Sequence, residues 1–310
     1  MERLIAIIGP TATGKSSLGI KLAKYLNTEI ISGDSMLVYR KMNIGTAKPT
    51  GEERQGIPHH LVDIVEPEDS YNVADFQNRA QKIIQYLNGI GKIPLIVGGT
   101  GLYIKSVLEK YSFNEIGENN IFREKMQDIS NEYGNEYLHN MLRTVNPLKA
   151  EKLHPNDRRR VIRELEIAAE QKNKPSLASN GQVCCYDALV IGLTMERAAL
   201  YNRINRRVDD MLAAGLIEEV EELLREGLTE RHRSMQGIGY KETLQYLRGE
   251  IKRDELADLI KKNTRNFAKR QLTWYRKMPY IHWLELGEFS NSDEMAHHIY
   301  NLVAIKYGLQ

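Results

Sequence analysis

Apolar positions along this chain fall into two patterns, short continuous runs and stretches with helical spacing. The runs, typical of strands buried on both faces, lie at residues 4–8, 29–32, 93–97 and 188–193. Apolar residues three or four positions apart predict amphipathic helices at 16–26, 73–87 and 196–214. Strands that alternate with helices predict an α/β fold with a parallel sheet flanked by helices.

The middle of the chain departs from this alternation. Residues 115–187 are polar, have helical spacing and contain no apolar run of strand length. The sequence therefore predicts an all-helical insertion domain at 115–187 in a core made of 1–114 and of 188–310, the second part with C-terminal helices.

Residues 40–71 are predicted to be an ordered loop region, because glycines and prolines interrupt every periodicity. His59 and His60 lie within it and suggest a metal site at first sight. No carboxylate or third ligand has the spacing of a zinc site, which favours loop histidines with backbone hydrogen bonds.

Composition excludes several classes of protein. A net charge of +2 gives no global attraction to nucleic acid, so any such binding must come from local patches. The two cysteines, Cys184 and Cys185, are adjacent, which fits neither a disulfide framework nor a zinc site and suits a reducing compartment. No apolar run approaches the roughly 20 residues of a membrane span. We expect a cytoplasmic protein that makes no contact with a membrane.

One motif indicates chemistry directly. Residues 9–16 read GPTATGKS and follow a predicted strand and precede a predicted helix, the context of a phosphate-binding loop. Backbone N–H groups and the helix N-terminus attract an anion, Lys15 adds a full charge, and the Ser16 hydroxyl can bind Mg²⁺. The motif predicts a ligand with two or three phosphates. Its members are Gly9, Pro10, Thr11, Ala12, Thr13, Gly14, Lys15 and Ser16.

Two further strand ends carry polar side chains. Asp34 follows the run at 29–32, and the carboxyl ends of parallel strands meet at one rim, so Asp34 is expected near the phosphate loop. The alternative is that Asp34 or Ser35 only caps a turn. Thr100 lies in the glycine-rich end of the run at 93–97, by itself a weak signal. That strand lacks the terminal Asp by which nucleotide-hydrolysing relatives hold Mg²⁺, and Asp34 is the nearest substitute.

Two basic segments favour RNA. Arginines occupy 158–160 and 163 at the start of a predicted helix, and residues 261–277 interleave basic side chains with three aromatic ones. Arginine binds phosphate oxygens bidentately, and aromatic rings stack on bases. The alternatives are a solvated arginine face and an amphipathic helix whose aromatic side chains pack on the sheet.

Taken together, these motifs resemble the bacterial tRNA dimethylallyltransferases. The similar stretches are GPTATGKS at 9–16, GDSMLVYRKMNIGTAKP at 33–49, VGGTGLY at 97–103, LHPNDRRRVIRELE at 153–166, GIGYKE at 237–242 and TRNFAKRQLTWYRK at 264–277. The resemblance implies a phosphate-loop NTPase-like core with an insertion that contacts tRNA. It also implies a prenyltransferase, which moves a dimethylallyl group from dimethylallyl diphosphate to N6 of adenosine 37 beside the anticodon.

The resemblance also implies roles for individual residues. Asp34 and Thr100 would be catalytic, with Asp34 as general base, while Arg207 and Lys15 would hold the diphosphate at the nucleotide-binding loop, with Mg²⁺ on Ser16. The residues implied in contacts with the anticodon stem-loop are Asp34, Ser35, Met36, Leu37, Thr100, Arg123, Arg159, Arg160, Val161, Ile162 and Arg163. Members often have Pro-Gln-Arg where this chain has Arg158-Arg159-Arg160. A monomer is expected.

Two other functions share parts of this pattern. A small-molecule or nucleoside kinase has the same loop, and Asp34 could activate its acceptor hydroxyl, but arginines of a lid that clamps a transferred phosphate are missing. A nucleotide-dependent RNA-binding protein would not need Asp34 at the crevice.

Overall fold

The computed structural model describes residues 1–109, 119–170 and 185–309. The chain divides into two compact units, one made of 1–111 and 181–310, the other of 112–180. Cys184 and the predicted start of the insertion at 115 lie outside the described residues.

The first unit is built on one parallel sheet. Its strands are β1 Arg3–Ile8, β2 Ile30–Ser32, β3 His59–His60, β4 Leu95–Gly98, β5 Asp187–Thr194 and β6 Ile281–Glu285. Within the described residues their order is β3-β2-β4-β1-β5-β6, and every neighbouring pair is parallel. The predicted α/β class is confirmed, and β1 lies at the centre, where its residue Ala6 is in register with Ile96 and Val190.

Helices cover both faces of this sheet. They are α1 Lys15–Tyr25, α2 Val73–Gly89, α3 Gly101–Leu108, α8 Arg197–Ala213, α9 Leu216–Arg225, α10 Tyr240–Leu247, α11 Arg253–Tyr275 and α12 Ser292–Tyr307. Successive side chains of a strand point to opposite faces, so Ala6 packs in one core cluster and Ile7 in another. The cluster with Ile7 holds apolar residues of α1 and α12, and the other holds those of α2, α3, α9, α10 and α11.

The second unit is helical, with α4 Asn120–Tyr133, α5 Asn135–Val145, α6 Pro147–Ala150 and α7 Arg158–Glu170. It has a core of its own, formed by Met126, Leu138, Leu142, Ala150, Val161, Ile162 and Leu165. No strand occurs between 119 and 170, as the absence of apolar runs predicts.

The prediction that residues 40–71 form a loop throughout is wrong at one point. His59 and His60 form the edge strand β3, which pairs with Ile30 and Ile31 of β2. His59 Nδ1 lies 2.8 Å from the Ile57 carbonyl oxygen, and His60 Nε2 lies 2.7 Å from Glu29 Oε2. Two residues are too few for period-2 alternation to show in the sequence.

Among the residues that the structure describes, none of the helices is long and apolar enough to cross a membrane.

Candidate active site

A cavity of about 360 Å³ opens at the carboxyl ends of β1, β2 and β4. This is the rim at which parallel sheets bind ligands. Side chains from the phosphate loop, from the turn after β2 and from α8 and α11 line it. Lys15, Asp34, Thr100 and Arg207, which are far apart in the sequence, all contribute to its wall.

Two side chains of the phosphate loop at 9–16 form hydrogen bonds with the backbone of the same loop. Lys15 Nζ donates a hydrogen bond of 2.6 Å to the Pro10 carbonyl oxygen, and Thr13 Oγ1 donates one of 2.9 Å to the same oxygen. Gly9 passes so near β5 that an added Cβ would lie 2.7 Å from the Leu193 carbonyl oxygen. α1 begins at Lys15, directly after Gly14, whose φ is +83°. The loop therefore presents a helix N-terminus and an ammonium group to the cavity.

Two cations share this site. Burial, together with the nearby charge of Arg207, lowers the pKa of Lys15 to about 7, although Asp34 acts in the opposite direction. Burial also lowers the pKa of Arg207, against the effect of Asp34. The Arg207 guanidinium reaches the Thr46 carbonyl oxygen at 3.5 Å. Two desolvated basic groups close together form a strong site for a polyvalent anion, because the charge of the anion favours the protonated form of each.

Asp34 is held by a chain of backbone and side-chain hydrogen bonds. Gly33 N donates to the Val97 carbonyl oxygen over 2.8 Å, and Thr100 N donates to the Gly33 carbonyl oxygen over 3.1 Å. Thr100 Oγ1 accepts the Ser35 N–H at 3.0 Å. Asp34 Oδ1 accepts the Met36 N–H at 2.8 Å. Asp34 thus caps its turn and also lines the cavity beside the phosphate loop, the location that its position after β2 predicts.

One wall of the cavity is apolar. It is formed by Ile204, Val208 and Met211 of α8 and by Ile260 and Phe267 of α11. These residues follow the helical spacing of each helix, so sequence patterning marks them only as buried and does not distinguish the cavity wall from the core.

The aromatic residues of 261–277 pack within the first unit, as the alternative interpretation predicts. Tyr275 is fully buried, and Trp274 lies so close to Gly101 that an added Cβ would be 2.3 Å from its Cδ1. Phe267 lines the cavity.

Sequence reasoning missed two site residues, Gln271 and Glu219. The Gln271 side chain lines the cavity and bonds two of its loops, while Glu219 binds the backbone of the loop at 43–45. A signal existed for Gln271, because it falls between Ala268 and Tyr275 on the buried face of α11.

The arginines implied in tRNA contact have different surroundings within the second unit. Arg123 Nη2 and Nε donate to the two oxygens of Glu166 at 2.8 and 3.0 Å, and Arg163 Nη1 donates to Oε2 at 2.5 Å. The Glu166 side chain is only 1% exposed. Arg160 pairs with Asp157 at 3.3 Å, and Arg159 is exposed.

Val161 and Ile162 were implied as tRNA contacts by the resemblance. Their side chains are 0% and 6% exposed and belong to the core of the second unit. For these two side chains the expectation of a tRNA contact is therefore wrong. They lie on the buried face of α7 and stabilise the second unit.

Comparisons with known proteins agree on one family. The IPP transferase family model matches residues 37–278. The tRNA dimethylallyltransferase of Carboxydothermus hydrogenoformans is 53% identical over 296 residues, which cover 93% of this chain and 94% of that protein. The Bacillus anthracis protein of the same name is 47% identical over 307 residues, 98% of either chain.

Solved structures are similar over nearly the whole chain. The full-length tRNA isopentenylpyrophosphate transferase of Bacillus halodurans is 44% identical, with a TM-score of 0.75, and the match covers 99% of this chain and 97% of that one. A eukaryotic dimethylallyltransferase, described as acting on tRNA, is 30% identical with a TM-score of 0.79, over 98% of this chain and 79% of its own.

Proposed function

This chain belongs to the IPP transferase family, and we propose that it transfers the dimethylallyl group of dimethylallyl diphosphate to N6 of adenosine 37 in tRNA. The enzyme is a tRNA-modifying prenyltransferase. The observation that supports this most strongly is one cavity in which Lys15 and Arg207 face the same space as Asp34 and an apolar wall. The apolar wall is suited to the alkyl chain of a prenyl donor.

The donor half of the reaction uses the phosphate loop. C1 of an allylic diphosphate ionises as negative charge builds on the departing diphosphate. The N–H groups at the start of α1, Lys15 and Arg207 would stabilise that charge, an effect that grows in a site of low dielectric constant.

Mg²⁺ fits the residues present. Ser16 and Asp34 line the cavity, and no group of three or more His, Cys, Asp or Glu side chains suited to a metal occurs in the described part of the chain. Mg²⁺ is usually bound by one or two carboxylates together with substrate phosphates and water, and in a phosphate loop the Ser or Thr hydroxyl also binds it, so Ser16 would hold the ion together with the diphosphate. When bound it would neutralise charge on the diphosphate.

The acceptor half uses Asp34. The N6 amine of adenine is a poor nucleophile because its lone pair is delocalised into the ring. A carboxylate that removes its proton as the C–N bond forms contributes typically about 10²–10⁴ in rate. Residues 34–37 and Thr100 border the space next to the phosphate loop, where an adenine extruded from the anticodon loop would be bound.

Selection of the donor would depend on the apolar wall. The loop binds only the diphosphate, so it cannot distinguish a prenyl ester from a nucleotide. Ile204, Met211 and Phe267 lie on the wall, and their side chains offer no hydrogen-bond partner for the hydroxyl groups of a ribose. The five-carbon chain of the donor can be desolvated against this wall without leaving a polar group unpaired.

Recognition of the anticodon stem-loop by the insertion, a monomeric state and a cytoplasmic location stay predictions. Arg159 and Arg160 are exposed on α7 and could bind phosphates of the RNA backbone.

The test is transfer of label from dimethylallyl diphosphate to RNA. The protein is incubated with Mg²⁺, ATP, labelled donor and an undermodified tRNA, and a matched tRNA with guanosine at position 37 is the control. We expect label only in the first RNA. Consumption of ATP without prenyl transfer would favour the kinase, and binding of RNA without either reaction would favour a non-catalytic protein.

A further inference from the structure

One buried side chain joins the two halves of the cavity. Gln271 of α11 is 6% exposed. Its Oε1 accepts the Thr11 N–H of the phosphate loop at 2.9 Å, and its Nε2 donates to the Gly99 carbonyl oxygen at 2.8 Å. A side chain 260 residues from Thr11 thus spans the gap between two loops that follow different strands.

The chemistry of this contact requires an amide. Thr11 offers a donor and Gly99 an acceptor, so the bridging group must accept at one end and donate at the other. The fit is also close, since a Cβ on Gly99 would lie 2.5 Å from Nε2 of Gln271. Only a glycine admits the amide at this distance.

Each of the bridged loops carries one half of the proposed reaction. Thr11 belongs to the loop closed by Lys15 on Pro10. Gly99 precedes Thr100, whose Oγ1 accepts the Ser35 N–H and whose N–H donates to the Gly33 carbonyl oxygen. These bonds enclose Asp34 on both sides. The amide is therefore the link between the diphosphate loop and the loop that holds the base.

We propose that Gln271 is a positioning residue that sets the distance between the diphosphate loop and Asp34. The proposal rests on the proposed function and names a determinant of its rate. Gln271 would take no part in proton transfer. It would act through the backbone of Thr11 and Gly99, so that C1 of the donor and N6 of the acceptor meet within bonding reach.

This role has a distinct kinetic consequence. Each loop keeps its own internal hydrogen bonds when the bridge is removed, so each substrate should still bind. Misplacement of reacting groups by about 1 Å can cost on the order of 10² in rate. We therefore expect kcat to fall about 10- to 100-fold, while KM for tRNA and Kd for dimethylallyl diphosphate change by less than about threefold.

Two variants remove the bridge in different ways. Gln271→Met keeps the length of the side chain and loses both hydrogen bonds. Gln271→Glu keeps an acceptor for the Thr11 N–H and places a carboxylate oxygen against the Gly99 carbonyl oxygen, so it should break the link to Gly99 alone. The control is Gln77→Met, because Gln77 is 8% exposed and donates a buried hydrogen bond to the Ser106 carbonyl oxygen, away from the cavity.

The experiment measures kcat, both substrate constants and thermal unfolding for the wild type and the three variants. Support is a loss of kcat in both Gln271 variants with donor binding retained, and wild-type kcat in Gln77→Met at a comparable loss of stability. The proposal is overturned if either folded Gln271 variant keeps kcat within about threefold of the wild type, or if donor affinity falls as much as kcat in Gln271→Met, the variant that adds no charge beside the diphosphate. Failure of the wild type to transfer label would instead overturn the proposed function.

Discussion

The phenol of Tyr240 donates a hydrogen bond of 2.6 Å to Oε1 of Glu219. The same carboxylate accepts three successive backbone N–H groups, those of Asn43 and Ile44 at 2.8 Å and that of Gly45 at 3.1 Å. An added Cβ on Gly45 would lie 2.6 Å from the ring of Tyr240. Glu219 is thus an internal anion in a cradle of N–H groups, and it shapes the loop whose residues Gly45 and Thr46 line the cavity.

Glu219→Gln should destabilise this loop. The amide presents N–H groups to backbone N–H groups, and hydrogen bonds to a charged acceptor contribute about 1.5–3 kcal/mol. Because Glu219 is half-buried, we expect a loss of about 1–3 kcal/mol in the free energy of unfolding and a raised Kd for the donor. Urea unfolding and donor titration measure these two quantities.

Glu221→Gln is the matched control, since Glu221 is exposed on the same helix. Tyr240→Phe removes only one of the four bonds and should cost about 0.5–1.5 kcal/mol. Equal stability of Glu219→Gln and Glu221→Gln would contradict the role given to Glu219.

Lys15 should make donor binding depend on pH. Burial lowers its pKa from 10.5 to about 7, so above pH 7 the free protein carries Lys15 largely neutral. A bound diphosphate favours the charged form and raises this pKa. Binding above pH 7 must then take up a proton, and donor affinity must fall as the pH rises through that window. Calorimetry in buffers of different ionisation enthalpy measures the uptake.

The diphosphate of the donor can itself gain or lose protons on binding, so proton uptake by the wild type must be compared with that by Lys15→Met at the same pH. The variant should lack the part of the proton uptake that is due to Lys15. Arg207→Met should raise the pKa of Lys15, because the charge of Arg207 lowers it, and should shift the fall in affinity to higher pH. A proton uptake that is the same in the wild type and in Lys15→Met would show that Lys15 is already charged in the free protein.

Asp34→Asn separates binding from chemistry. The change keeps the shape of the side chain, and the amide oxygen can still accept the Met36 N–H, so the turn should persist. The variant has no base at this position. We expect kcat to fall by about 10²–10⁴ while donor and tRNA affinities stay near those of the wild type. A variant with kcat within about threefold of the wild type would exclude Asp34 as the general base.

Arg159 and Arg163, one helical turn apart, should behave differently. Arg163→Ala removes one of two arginine partners of the buried Glu166 and should cost about 1–3 kcal/mol of stability. Arg159→Ala should leave stability unchanged and weaken tRNA binding. The slope of log affinity against log salt should become shallower by roughly 0.7–0.9, because the variant neutralises one RNA phosphate fewer.

Unfolding curves and tRNA titrations at two salt concentrations test both variants. An unchanged salt slope for Arg159→Ala would remove that arginine from the recognition surface. An unchanged unfolding midpoint for Arg163→Ala would mean that Arg123 and the Asn119 N–H satisfy Glu166 without it.

Local patterns determined much of this protein. The phosphate loop was readable because its glycines, lysine and helix start are neighbours in the chain, and the anion site they form depends on backbone geometry over eight residues. The strands β1, β2, β4 and β5 were readable because buried strands carry runs of apolar residues, whereas the edge strands β3 and β6 were not predicted. Its position at a strand end indicated Asp34, and the resemblance indicated Arg207; the structure brings both to the same cavity.

Tertiary structure decided what periodicity cannot express. Burial alone does not distinguish Ile204 on the cavity wall from Ile5 in the core. Gln271 meets Thr11, and Glu219 meets Asn43, only because distant helices pack on the same sheet. The neighbours in sequence of a polar side chain on a buried helix face do not show which group it hydrogen-bonds to. Its hydrogen bonds are made across the fold, and so its role could be known only once the chain was folded.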